Sequence, residues 1–111
     1  MAKYEKTMIG QFAQVMNRLE RDIENNAFSM NLVEESNYSS GDVKIGVRVY
    51  DKYFMRNESR ASLSLTVVGR ENNIFISAIG AGGGKGILFN YSLGAETSMV
   101  DIVRKSVERM R

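Results

Sequence analysis

Between Asp42 and Gly80 the chain alternates apolar and polar residues along three runs separated by short polar turns. DVKIGVRVYDKYFM sets Val43, Ile45, Val47 and Val49 against Lys44, Gly46, Arg48 and Tyr50. ASLSLTVVG sets Leu63, Leu65 and Val67 against Ser62, Ser64 and Thr66, and IFISAIG follows. Successive side chains of a strand point to opposite faces, so this period of two predicts strands with one buried and one wet side. The turns RNESR and Arg70 to Asn73 are too short for a crossover helix, which makes the neighbours antiparallel hairpins. AFSMNLVEESNY, with Phe28, Met30 and Leu32 at alternate places, adds a strand before the turn SSGD. Tyr4 to Met8 makes a short first strand.

Two segments carry a different period. In GQFAQVMNRLERDIEN, the residues Phe12, Val15, Met16, Leu19 and Ile23 form one helical stripe. Arg18 and Asp22 sit one turn apart, placed on the outer side, and Asn25-Asn26 is the expected stop. GAETSMVDIVRKSVERMR repeats the pattern with Met99, Val103, Val107 and Met110. Between them, ILFNYS reads as extended chain or a short strand. The order is β-α-β-β-β-β-α. Two amphipathic helices and a sheet with one apolar face bury each other most simply as an α+β two-layer sandwich. The expectation is an antiparallel sheet of four to six strands, mostly in meander order, with both helices on one face. A length of 111 residues fits a single domain over residues 1–111.

Composition removes several chemistries. The chain has no cysteine and no histidine, which excludes disulfides, thiolate catalysis, His-based triads and the common zinc sites. No metal site or cofactor is expected. The net charge of +2 comes from 15 basic and 13 acidic residues of interspersed sign, which argues against a nucleic-acid footprint. The start lacks the apolar run of a secretory signal, and no stretch reaches a membrane span, so a cytoplasmic location is the expectation. The methionines mostly fit apolar faces as core filling.

GAGGGKG, from Gly80 to Gly86, looks like a phosphate cradle. It fails the nucleotide P-loop pattern: Ile79 stands where the first glycine belongs, and Gly86 where the magnesium-holding hydroxyl belongs. The dinucleotide pattern fails as well, because its third glycine falls on Lys85. A flexible connector is the simpler reading. The functional alternative is an anion nest of backbone N–H groups from Gly82, Gly83 and Gly84 with the Lys85 ammonium. Glu34-Glu35 is an adjacent carboxylate pair, but strand neighbours point to opposite faces.

If the hairpins keep the apolar alternation aligned, the face away from the helices carries Lys44, Arg48, Tyr50, Lys52 and Phe54, then Ser62, Ser64, Thr66 and Val68, then Phe75, Ser77 and Ile79. Tyr50, Phe54, Val68, Phe75 and Ile79 would form an exposed apolar patch of the kind that marks interaction surfaces. A slip of one residue would exchange the faces.

KYE, VRVYDKY, SLSLTVVG, ISAIGAGGG and LGAE together resemble an uncharacterised family of small Firmicute proteins, over nearly the whole chain. That resemblance implies one domain and supplies no activity, cofactor or catalytic residue. The expected function is a non-catalytic cytoplasmic module that binds or self-associates, as a homodimer, through its open sheet face. The alternatives are an anionic-ligand protein or enzyme using Gly80 to Gly86 and Lys85, and a carrier of an apolar ligand between sheet and helices.

Overall fold

The computed structural model describes residues 2–26, 30–54, 59–83 and 89–110, with backbone alone at 26, 54, 59, 83 and 89–97. The elements are β1 (Ala2–Ile9), α1 (Phe12–Asn26), β2 (Asn31–Ser40), β3 (Val43–Phe54), β4 (Ser59–Arg70), β5 (Asn73–Gly83) and α2 (Phe89–Met110). The five strands form one antiparallel sheet in the order β1-β5-β4-β3-β2. The α+β architecture and element order read from the sequence are therefore those of the molecule. Four strands follow one another as a meander. The first returns to pair with the last, so β4 is central while β1 and β2 are the edges.

Both helices lie on one side of the sheet, with α2 over β5, β4 and β1 and α1 beside it over β4. The core between the layers is built from Val15, Met16, Leu19 and Ile23 of α1, Met99, Val103 and Val107 of α2, and the inward residues of β4 and β5. Leu19, Leu63, Leu65, Val67, Val103 and Val107 are completely buried. Each such side chain contributes about 1.5–3 kcal/mol relative to exposure. Helix α1 begins where the Gln11 carbonyl accepts from the Val15 N–H at 3.0 Å and ends at Asn26.

Helix α2 starts earlier than its sequence suggests. Residues 89–92, expected to be extended, belong to it. A glycine inside a helix costs only about 1 kcal/mol. Gly94 therefore does not force a start, and the helix runs through it. Strand β5 also runs further than expected, so Gly80, Gly82 and Gly83 are ladder residues paired with Leu63, Ala61 and Arg60. The turns use left-handed backbone at Gly41, with φ of 59°, and at Glu71, with φ of 57°. A non-glycine residue in that region is uncommon.

Strand β3 is turned over relative to the expectation. Arg48 pairs opposite Leu65 and Tyr50 opposite Leu63, so the residues placed outside by the alternation share a face with the core leucines. Arg48 and Tyr50 are only 6% and 2% exposed. Val43, Ile45, Val47 and Val49 stand instead beside Arg70, Val68, Thr66 and Ser64, on the face away from the helices. The physical reason lies in the fit of α1. A Cβ added at Gly46 would approach Met16 Sδ to 3.1 Å, and one at Gly69 would meet Phe12 Cβ and Cδ1 at 3.0 Å. The first turns of α1 rest on these two glycines, and an isoleucine or valine row at that level would hold the helix off. Glycine inside a strand often marks such a close approach.

Candidate functional site

Three groupings of side chains could do something beyond packing. Two lie under or beside the helices, and the third is the open face.

The first joins the helices. Asp22 of α1 accepts from Ser106 Oγ at 2.5 Å, Arg18 Nε at 3.2 Å and Arg109 Nη2 at 3.4 Å, all on Oδ2. Burial alone would raise its pKa, but the bonds from Ser106 and Arg109 and the charges of Arg18 and Arg109 outweigh it and hold the carboxyl below the ordinary 3.8. The Arg18–Asp22 pair expected on the outer side is thus largely buried at its carboxylate, because α2 brings Ser106 and Arg109 to the same oxygen. These partners are groups of the chain itself, which marks the cluster as a tie between helices.

The second ties the edge of the sheet to α1. Arg48 Nε donates to Glu20 Oε2 at 2.8 Å, and its Nη1 donates to Asn37 Oδ1 at 2.9 Å and to the Val47 carbonyl at 3.1 Å. Glu35 lies 3.9 Å away. A buried guanidinium is stable only when paired and hydrogen-bonded, and here it is both. Tyr50 beside it has its phenol pushed up to about 12, by burial first and then by Glu20 and Glu24. As expected from strand geometry, Glu34 and Glu35 face opposite ways: Glu34 pairs beside Val49 and Glu35 beside Arg48.

The third is the side of the sheet that, among the described residues, no helix covers. One row across it reads Tyr38, Ile45, Val68, Phe75 and Thr7, from β2 to β1. Another reads Glu34, Val49, Ser64, Ile79 and Lys3. Tyr38 is 61% exposed, Phe75 37% and Ile79 39%. Two open grooves of about 440 Å³ each mark its ends. One is lined by Thr7, Ile9, Val68, Asn73 and Phe75, the other by Val33, Val49, Arg60, Ser62 and Ala81. Charged residues on it are paired within the chain, Arg60 with Asp51 at 3.2 Å, Arg70 with Asp42 at 3.7 Å and Lys3 with Glu5 at 3.9 Å.

The predicted patch divides accordingly. Val68, Phe75 and Ile79 are on the open face. Tyr50 is in the core, and Lys44, Arg48 and Lys52, expected outside, share its face. The side chain of Phe54 lies outside the described residues. Ile45, Val47, Val49 and Tyr38 were missed as open-face residues, and Gly46, as a glycine inside an alternating strand, was the available signal. Of the proposed anion nest, Gly82 and Gly83 are engaged in the β4–β5 ladder, while Gly84 and Lys85 lie outside the described residues. Among the described residues, no group of acidic side chains could hold a metal ion, and no helix is long and apolar enough to cross a membrane.

With the fold and these groupings in view, the chain belongs to a family of unknown function, DUF6054, whose model matches residues 1–111. No curated protein matches it in sequence. Among solved structures it is similar to the crystal structure of TTHA0849 from Thermus thermophilus, at 6% identity and a TM-score of 0.37. That match covers 97% of this chain and 91% of the other. The likeness is too loose to carry fold or function across.

Proposed function

We propose that this protein is a small cytoplasmic bacterial module, without catalytic activity of its own, that works by associating through its open sheet face. The observation that supports this is the direction of β3. Its half-buried Val43, Ile45, Val47 and Val49 point away from the helices and extend the apolar surface of the half-buried Val68 and the exposed Phe75 and Ile79. A sheet that serves only as the floor of a core has no use for a second apolar side, and contiguous exposed apolar area usually marks an interaction surface.

The sheet edges suit association less well. Strand β2 carries a bulge at Val33 and two glutamates, and β1 carries Lys3 and Lys6. Charges and bulges are devices that blunt edge-to-edge pairing. The bacterial and cytoplasmic parts of the proposal rest on the resemblance of VRVYDKY and SLSLTVVG to Firmicute chains and on the sequence composition.

Light scattering on the purified protein tests the proposal. The wild type should have more than the mass of one chain, and Phe75→Asp, which sets a carboxylate in the face, should return it to one chain with its circular dichroism unchanged. A wild type that is monomeric at high concentration, or an association that Phe75→Asp leaves intact, speaks against it.

A further inference from the structure

The open face can be assigned a specific occupant. We infer that a second copy of this chain stacks on it, sheet to sheet, about a twofold axis running along β4. This rests on the reading of the open face as an interface and deepens it.

The strand order sets the geometry. With β4 central, β5 and β3 flank it and β1 and β2 are the edges. A twofold along β4, in the plane between two stacked sheets, exchanges β5 with β3 and β1 with β2. Consider the row Lys3, Ile79, Ser64, Val49, Glu34. The operation lays Lys3, which within its own chain reaches Glu5 only at 3.9 Å and is 61% exposed, over the second copy's Glu34, Ile79 over its Val49, and Ser64 over itself. Opposite charges meet at both ends, apolar residues meet between them, and the small residue falls on the axis. In the row Thr7, Phe75, Val68, Ile45, Tyr38, the same operation lays Phe75 over Ile45 and Val68 over Val68. In the row between them Glu5 meets Ser36.

A twofold running across the strands through Thr66, which also keeps the strands of the two copies aligned, is worse on the same rows. It sets Glu5 over the second copy's Glu5 and separates Lys3 from Glu34. Like charges placed opposite one another are unfavourable. The pattern of charges therefore distinguishes the two axes.

The size of the face agrees with this. Strands about 4.8 Å apart and residues about 3.3 Å apart give five strands of eight residues a plane of roughly 600 Å². The accessible area of a face covered with side chains exceeds its plane, so this approaches the roughly 800 Å² per partner of an ordinary stable interface. Twisted sheets stack at about 30°, so the central rows meet while the ends diverge. The diverging ends are where Arg60–Asp51 and Arg70–Asp42 already neutralise themselves. Closed twofold dimers, in which one patch serves both copies, are the commonest soluble oligomer.

The test is sedimentation equilibrium on the full chain with exposed charges exchanged. Lys3→Glu and Glu34→Lys should each weaken the dimer about tenfold, since each turns two symmetry-related attractions into repulsions. The double variant Lys3→Glu/Glu34→Lys should recover the wild-type dissociation constant to within about threefold. Single variants without effect, or a double variant no better than the singles, overturn the proposal, as does a monomeric wild type. Val68→Asp in the same series separates this from the broader reading. If it dissolves the dimer while the charge exchanges are silent, the face is the interface but the axis is wrong. If it leaves the dimer intact, the face is not the interface.

Discussion

Strands β3 and β4 lie side by side, yet they divide their residues between the two sides of the sheet in opposite ways. β4 sends Leu63, Leu65 and Val67 under the helices and leaves Ser62, Ser64 and Thr66 outside, as hydropathy alone would have it. β3 sends Gly46, Arg48 and Tyr50 inward and its valines and isoleucine outward. The difference follows position. β4 lies beneath both helices, whereas β3 lies at the margin of the helical layer. There the covered side admits the start of α1 over Gly46, reaches Glu20 with a long cation, and buries one tyrosine in the core. A valine does none of these. The result is a sheet with two apolar sides, one filled by helices and one open.

The largest expected effect breaks the comparison within β4 itself. Leu65→Ala should cost about 2–5 kcal/mol of stability, the usual range for emptying a core site, and Ser64→Ala less than about 0.5 kcal/mol, as for a surface change. Urea unfolding of the two variants gives both numbers, and similar values would mean that β4 has no single inner face.

Charges sharpen the contrast between covered and open sides. Asp22→Ala should cost about 2–4 kcal/mol, because it strands Ser106 and two arginines beside a largely buried site. Asp51→Ala, which breaks a pair whose arginine is well exposed, should cost at most about 1 kcal/mol. The pH dependence follows from the lowered pKa of Asp22. Its contribution is present above the unfolded value of 3.8 and is lost as the pH falls through the folded value. Wild type should therefore lose melting temperature more steeply than Asp22→Ala below about pH 4, by calorimetry across that range.

A smaller effect is expected at the glycines. Gly69→Ala puts a methyl group 3.0 Å from Phe12, and should cost about 1–3 kcal/mol by pushing the start of α1 off the sheet. Gly46→Ala, where the nearest atoms are Met16 Sδ and the Phe12 ring edge, should cost less, since those side chains can move. Equal melting temperatures for wild type and Gly69→Ala would mean that the start of α1 does not rest on β4 at Gly69.

Much of this was legible from periodicity. The stripe Val15, Met16, Leu19 and Ile23 is the buried face of α1, and Met99, Val103 and Val107 that of α2. The alternation in each strand is equally plain, because period two depends only on local backbone. Which set of alternate residues turns inward is another matter. It depends on the pairing of β3 with β4, where Arg48 stands opposite Leu65 and Val47 opposite Thr66. A shift of one residue in a hairpin exchanges every side chain between faces, and hydropathy favours the wrong choice when the covered side of an edge region holds Gly46, Arg48 and Tyr50. The candidate site was accordingly half legible. Val68, Phe75 and Ile79 follow from β4 and β5, while Ile45, Val47 and Val49 require the register.

The central claim is the direction of β3, and it is tested most directly by the difference in unfolding free energy between Tyr50→Ala and Ile45→Ser, measured by urea denaturation at a concentration low enough to keep the chains apart. Removing a buried aromatic side chain costs about 3–5 kcal/mol, whereas a change at the half-buried Ile45 should cost about 1 kcal/mol, the centre of the range for single substitutions. A Tyr50→Ala loss several times that of Ile45→Ser is the predicted result. A greater loss from Ile45→Ser would place the valines and isoleucine of β3 under the helices and leave the open face without its apolar row.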